Sequence, residues 1–485
     1  MSKTNVIYKD VAPGADQDST VSALGVDSAS DLTLLPDGIS PEPTISLEWN
    51  YWVLNGTRRP QETQPRAFWS AFKSGADGKF SEYPVITVDF GKQYSSTGIS
   101  FVFDRAAGEW CSRINVSWYQ GEEQKASKEF YPDAVDYFCE QTVTSYDRIV
   151  ITVKETSVPL RYAKIEHIIF GAYRRFGMAE LRKASVVNEM DGISETLPIS
   201  TFKWTLDSKK NTDFLFQLKQ PVEIRNDDNL LGVYYIDKHD RKTARIYGIE
   251  CYDAIGVLDE SVFPGGVYTN KSAKELLLEI VGTDFDVEFA EDVVDADLTG
   301  VLLEGTKRSA AQQVLFAWGV CAATDGGAVL RVFNLDDTLT EIGKDRTFVG
   351  VSVATDSIVT EVQLTAHTYT ETDNGGIEIN GKKYSDTKTI YTVKNPDVTA
   401  NDKQNVKSFR DATLVSPSNA QALAQHIYSW YQRRNTAKAS VVWKGERLGE
   451  FVSLPNTWGS ASTGNVTKME IKLSNTVVAK CEARG

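Results

Sequence analysis

The chain has 485 residues, 41% of them hydrophobic and 24% charged, and its 66 acidic against 52 basic residues give a formal net charge of −14. A chain of this size outgrows a single hydrophobic core, so several domains are expected, and its composition excludes disorder on the global scale. The acidic surface repels phosphates and so excludes tight or sequence-reading contact with nucleic acid, while 21 Phe, 20 Tyr and 10 Trp favour strands over helices.

Residues 1–43 run from Asn5-Val6-Ile7-Tyr8 through Pro13-Gly14-Ala15 to Pro36-Asp37-Gly38. Small polar residues and prolines dominate, which predicts an extended arm with little core of its own, able to order against a neighbour. Over 44–172 the pattern turns to alternation: Ile45, Leu47, Trp49, Tyr51 and Val53; Ile86, Val88 and Phe90; Ile99, Phe101 and Phe103. Ile114, Val116 and Trp118 follow, then Ile149, Ile151 and Val153, then Ile165 with 168–170. Six or more short strands divided by Gly, Pro and Asp predict a β-sandwich. Trp69, Trp110 and Tyr131 lie in or beside its loops, where an aromatic ring could stack on the C–H face of a pyranose. The competing reading is that these rings cap the sandwich or pack on a neighbouring subunit.

Residues 173–260 predict a first barrel. Phe202, Trp204 and Leu206 alternate as one strand, and three runs rich in β-branched and aromatic residues (222–225, 232–238, 243–252) are separated by Asn226-Asp227-Asp228-Asn229 and His239-Asp240-Arg241. That is a meander. Residues 261–340 break the all-β pattern. Ser272 with Glu275 is a capping box before an apolar run that stops at Gly282, and Ser309 with Gln312 opens a second, largely buried helix over 310–323. Phe285, Val287 and Phe289 alternate as a strand, as do Val329, Arg331 and Phe333 after the turn at 325–327.

Residues 341–485 are again mainly β, as a second barrel. A strand over 358–369 and the turn pair Asn380-Gly381 predict a hairpin. Ser418 and Gln421 predict a capped helix reaching about 434, with Leu423, Ile427, Trp430 and Tyr431 on one side, followed by strands at 439–443, 450–454, 465–473 and 477–481.

No catalytic constellation accompanies these elements. His167, His239, His367 and His426 lie in four different segments without metal-ligand spacing, and no phosphate-binding loop, dinucleotide fingerprint or nucleophile elbow occurs, so neither a metal nor a cofactor is expected. Asp227-Asp228 and Asp336-Asp337 are paired carboxylates, yet each sits in a turn, where Asp is favoured for local hydrogen bonding. Cys111, Cys139, Cys251, Cys321 and Cys481 are odd in number and widely spaced, as expected of unpaired, buried residues in a protein made in a reducing cytoplasm. The longest apolar run, 314–323, is too short to span a bilayer, and no signal-peptide pattern is present, so neither export nor a membrane span is expected.

Gly232-Val233-Tyr234-Tyr235-Ile236-Asp237 followed by Tyr252-Asp253-Ala254-Ile255-Gly256-Val257-Leu258-Asp259 resembles the first barrel of bacteriophage baseplate hub proteins, including the amino-terminal part of tail-associated lysins of phages from Gram-positive hosts. The helix Arg308-Ser309-Ala310-Ala311-Gln312-Gln313-Val314-Leu315-Phe316-Ala317-Trp318, with the strand ending Asn334-Leu335-Asp336-Asp337, resembles their small α+β domain. Ile86-Thr87-Val88-Asp89-Phe90-Gly91 and the later Ala163-Lys164-Ile165-Glu166-His167-Ile168-Ile169-Phe170 resemble a discoidin-type, galactose-binding-like jelly roll. The resemblance implies a mainly β, multidomain protein: arm, jelly roll, and two hub barrels separated by a small α+β domain. It implies a non-enzymatic virion protein of the tail tip or baseplate, in a phage or a tail-like bacteriocin, made in the bacterial cytoplasm. Its implied partners are further copies of itself in a homotrimer, tail tube and distal tail proteins, and a tail spike or fibre protein. Two barrels per chain would then give six around a ring, matching a sixfold tube to a threefold tip. The competing class is a receptor adhesin in which Trp69, Trp110 and Tyr131 bind cell-surface glycan. A cell-wall hydrolase is disfavoured, because the related lysins carry that activity beyond the second barrel, where this chain ends at Gly485.

Overall fold

The computed structural model describes the chain apart from residues 1–3, 13, 28–29, 37–43, 46–47, 49–61, 64–67, 209–215, 227–228, 284, 325, 349, 400–401, 457 and 475–476. The fold is mainly β and multidomain, with strands dominating and few helices. It divides into two compact units, Ile7–Arg175 and Met1–Val6 with Phe176–Gly485. Among the described residues no helix is long and apolar enough to cross a membrane.

The unit Ile7–Arg175 is built on two long strands, Val85–Phe103 and Asp136–Glu155, which pair antiparallel along most of their length. The separate strands expected at 86–90 and 99–103 are therefore one. Its register shifts between Asp89 and Gly98, where bulges bend the chain without ending the ladder. Arg113–Gln120 pairs with Asp136–Glu155, and Tyr162–Ile169 pairs with Val85–Phe103 and with Phe68–Lys73. Glu123–Phe130, which periodicity did not reveal, forms a hairpin with Arg113–Gln120; its residues are polar on both faces and mostly exposed. The inward residues Ile86, Val88, Phe101, Phe103, Val116, Trp118, Ile149, Ile151 and Ile165 meet in one apolar core.

The expected extended arm over 1–43 is corrected by this core. Ser19–Leu24 pairs antiparallel with 85–90, and Ala12, Ala15 and Leu35 are buried in the sandwich. Thr4–Val11 is also a strand. The polar, proline-bearing composition hid short strands that need a partner edge to form. The strand expected from Ile45 to Val53 lies outside the described residues except for Thr44–Ile45, which pairs with Glu62–Thr63.

In the other unit the expected meander is present: Pro221–Asn226, Asn229–Arg241 and Ile246–Tyr252 pair in sequence, and Thr201–Asp207 then joins Ile246–Tyr252 to Leu181–Glu189. Its first turn, at Asp227-Asp228, lies outside the described residues. A second set contains Ser462–Lys472, Val478–Arg484, Asn435–Val442 and Ser352–Thr355, again antiparallel. The two sets are not separate sheets. Leu181–Glu189 pairs with Ser462–Lys472 from Ser185↔Lys472 to Glu189↔Lys468, so one sheet runs through both.

The helices gather in a shared core with the remaining small sheets. Ala273–Val281 begins as expected, with the Ser272 hydroxyl accepting from the Glu275 N–H, and buries Leu276, Leu277 and Ile280. The second helix is Lys307–Trp318, shorter than the 310–323 expected: Thr306 caps its start, and Gly319 ends it in the left-handed region with φ 79°. Cys321–Ala323 is instead a strand beside Val329–Phe333, which in turn lies parallel to Asp286–Phe289. Ala254–Asp259, which follows the third run of the expected meander, is a short helix capped by Asp253. The third expected helix is Ala420–Gln432; Asn419, not Ser418, stands at its cap and makes no side-chain capping bond. Its Leu423, Ala424 and Ile427 enter the same core as Val314 and Leu315, so this core does not divide at 340. The Asn380-Gly381 hairpin is present, with φ 51° and 74° at the two turn residues joining Ile377–Ile379 to Lys382–Lys394.

Candidate functional site

Trp69, Trp110 and Tyr131 are all in the sandwich unit but do not form one surface. Trp69 is 7% exposed in strand Phe68–Lys73, edge-on to Tyr162 at 6.0 Å and beneath the Lys164 ammonium at 5.0 Å from its ring centre. It is a packing residue. Trp110 is partly buried against the sandwich core and fixed to the opposite loop: its N–H donates to Ser157 Oγ at 3.0 Å and its carbonyl accepts from the Ser157 N–H at 2.8 Å. Tyr131 is 61% exposed, with its hydroxyl donating to Glu129 Oε1 at 2.6 Å and the Arg113 guanidinium 5.9 Å from its ring centre.

Arg113 ties Trp110 and Tyr131 to the same end of the strands. It donates to Glu129 at 2.8 Å and to Glu155 at 3.1 Å, two residues before Ser157. Lys154 adds a second cation to Glu129 at 2.5 Å. Lys154, the Tyr131 hydroxyl and Arg113 hold the Glu129 carboxyl down at about 2, so it stays ionised. Tyr83, 49% exposed, stands beside Lys154 at 6.0 Å. This end therefore offers water two exposed aromatic rings and a set of mutually paired charges.

Beneath Trp110 is a hollow lined by Asp104, Glu109, Ser157, Arg161, Tyr162 and Lys164. It encloses only about 10 Å³, room for roughly one water molecule, so a sugar would have to sit at its mouth. The charges around it are committed to each other. Lys164 is buried and pairs with Glu48 and, at 3.7 Å, with Asp104; Arg161 donates to both Glu109 oxygens at 3.0 and 3.1 Å. Burial pushes the Asp104 carboxyl up to about 6 against the Ala107 N–H and Lys164, with Glu109 and Glu48 pushing the same way as burial. Sequence reading missed this cluster, although one signal was present: Lys164 stands between Ala163 and Ile165 in an apolar strand, where a charge must either turn outward or find a partner.

Elsewhere the carboxylates and histidines singled out in the sequence have local contacts. Asp336 Oδ1 accepts from the Thr338 N–H at 2.8 Å, which is turn chemistry, and Asp227-Asp228 lies outside the described residues. His167 and His367 bond to the Leu35 and Arg410 carbonyls respectively, far from each other in sequence. Among the described residues no group of three or more His, Cys, Asp or Glu could hold a metal, and all five cysteines are buried and unbridged.

No family model matches the chain, and no curated protein matches it. Solved structures do. The tail protein from Neisseria meningitidis MC58 is 12% identical over 64% of this chain and 94% of that one, with a TM-score of 0.47. The 43 kDa tail protein of prophage MuSo2 from Shewanella oneidensis is 11% identical over 64% and 95%, with a TM-score of 0.45. The family 32 carbohydrate-binding module of NanJ from C. perfringens, solved with galactose, is 11% identical over 34% of this chain and 98% of that one, with a TM-score of 0.21.

Proposed function

We propose that the chain is a non-enzymatic structural protein of a phage tail or tail-like particle, acting as the baseplate hub where a sixfold tube meets a threefold tip. One observation carries this reading: two antiparallel strand sets lie edge to edge in one sheet, joined where Leu181–Glu189 pairs with Ser462–Lys472. A chain holding two such sets side by side presents six of them in a ring of three copies, which lets a threefold object meet six partners. The hub motifs at 232–237, 252–259 and 308–318 support the same reading and fall on this unit. Its work is mechanical: the ring seats the tube, holds the tip, and with a net charge of −14 leaves DNA free to pass without sticking. Mass measurement and imaging of the purified full chain are expected to give a threefold ring without wall-digesting activity; a chain that stays monomeric at high micromolar concentration overturns the hub.

A second role is favoured by the exposure of Tyr131 and Tyr83 at one end of the sandwich. There the hub would also touch cell-surface glycan, with Trp110 and Tyr131 as stacking rings. Binding of the full chain to a galactose-bearing glycan array, lost in Tyr131→Ala and Trp110→Ala, is the expected result. No binding by the wild-type chain removes this role and leaves the hub standing.

A further inference from the structure

The last strand of the joined sheet, Ser352–Thr355, is paired on one side only. Ser352↔Lys438 through Thr355↔Asn435 satisfy one edge, and among the described residues no strand covers the other. All four residues are exposed, whereas the strands before it mostly alternate buried and half-buried positions. On the inward face, Val466, Ala483, Ala437 and Val353 stand opposite one another on successive strands. The first three are at most 2% exposed, and Val353 is 40% exposed. The core face thus runs out of cover at its final strand.

The same stretch carries neither the charge nor the proline that keeps many open edges solitary. From Thr347 to Thr355 the sequence is Thr-Phe-Val-Gly-Val-Ser-Val-Ala-Thr, with no charge and no proline, and Phe348 is 49% exposed. Natural sheets normally blunt such an edge with Lys, Pro or an inward charge, because a row of free N–H and C=O groups templates another strand. On the outward face, Glu189, Lys468, Glu482 and Lys438 alternate in sign across the four strands leading to Ser352, and they are paired by contacts of 2.7 Å (Lys468–Glu189) and 2.9 Å (Lys438–Glu482).

We infer that the edge 352–355 is an interface that accepts an extended strand from a second copy of this chain, whose inward apolar residue covers Val353. The charge pattern suits this occupant. Most of a surface with net charge −14 repels its own kind, but here the neighbouring charges are already neutralised in pairs and the edge itself has none, so a second acidic chain meets no uncompensated like charge. This rests on the self-assembly in the proposed function and names the surface that does it.

The test compares the full-length wild type with Val353→Lys and with Ile390→Lys, a control at an apolar residue 63% exposed on another sheet, by sedimentation over a range of concentrations. The expected result is an oligomer for wild type and Ile390→Lys, with association at least about tenfold weaker for Val353→Lys, as a factor of ten needs only about 1.4 kcal/mol. If Val353→Lys associates as the wild type does, the edge is overturned and the hub reading survives; if the wild type is monomeric throughout, both fall. A dimer abolished by Val353→Lys upholds the edge and overturns the threefold ring. Hydrogen exchange on the unmodified chain guards against a variant that fails to fold: amides 352–355 should gain protection as concentration rises, and exchange independent of concentration overturns the inference.

Discussion

Asp253 has no exposed surface, yet it is charged chemistry placed in an apolar setting. Its Oδ2 accepts from the Ser200 N–H at 3.1 Å and from the Thr324 hydroxyl, and its Oδ1 accepts from the Gly256 N–H at 3.2 Å at the start of helix Ala254–Asp259. Burial pushes this carboxyl up to about 6, outweighing those three donors. Because its folded pKa lies above the unfolded value of 3.8, the group is protonated in the fold but ionised in the unfolded chain between about 4 and 6. Its contribution to stability is therefore greatest below about 4, declines as pH rises to about 6, and is flat above that. Asp253→Asn removes the titration, so urea unfolding of the two proteins should show the gap shifting toward the wild type as pH falls from 6 to 4, by up to roughly 3 kcal/mol at about 1.4 kcal/mol per unit. A gap that is constant over that range would contradict the assignment. Sequence alone showed Asp253 only as a letter in a motif; that it is buried and capping follows from the short helix behind it, which the strand pattern did not announce.

At the scale of elements, the turn at Gly326-Gly327 shows how closely backbone can approach backbone. Val233 N–H donates to the Gly326 carbonyl at 2.7 Å, and Ala254 N–H donates to the Gly327 carbonyl at 2.8 Å. Gly327 has φ +90°, and a Cβ there would lie 1.8 Å from the Val233 carbonyl oxygen. Gly327→Ala should thus cost at least about 2 kcal/mol in chemical denaturation, since positive φ and the displaced strand both oppose it; an unchanged midpoint would mean that the turn yields freely. Elements with local signals were legible from sequence: the Ser272 cap, the Asn380-Gly381 hairpin and the three-strand meander each depend on residues within a few positions. Elements that depend on a distant partner were not. Ser19–Leu24 is a strand because the edge at 85–90 completes it, and Glu123–Phe130 because its hairpin partner does. The end of Lys307–Trp318 was overrun because the apolar letters continue into Cys321–Ala323, where burial in a strand looks the same as burial in a helix. The candidate aromatic site divided in the same way: Trp110 and Tyr131 are at a loop end as read, while Trp69 proved to be packing, since residue type does not tell which face of a strand a ring occupies.

For the molecule as a whole, two units with their own apolar interiors predict two unfolding transitions in calorimetry. Lys164→Met leaves Glu48 and Asp104 buried without their cation and should lower only one transition, by about 3–5 kcal/mol of stability, while Asp253→Asn moves only the other. A single transition shifted by both would contradict the division.

The joint between Leu181–Glu189 and Ser462–Lys472 also has a consequence in time. Glu189 and Lys468, which meet there, are separated by 279 positions along the chain. During synthesis the strand at 181–189 emerges long before its neighbour exists and must wait with one side open. Parts of the sandwich and the meander, whose neighbours are close in sequence, can fold meanwhile, so this wall stays half-built until the strand at 462–472 has emerged. Until then that bare side is where a nascent chain is open to pairing with the wrong strand.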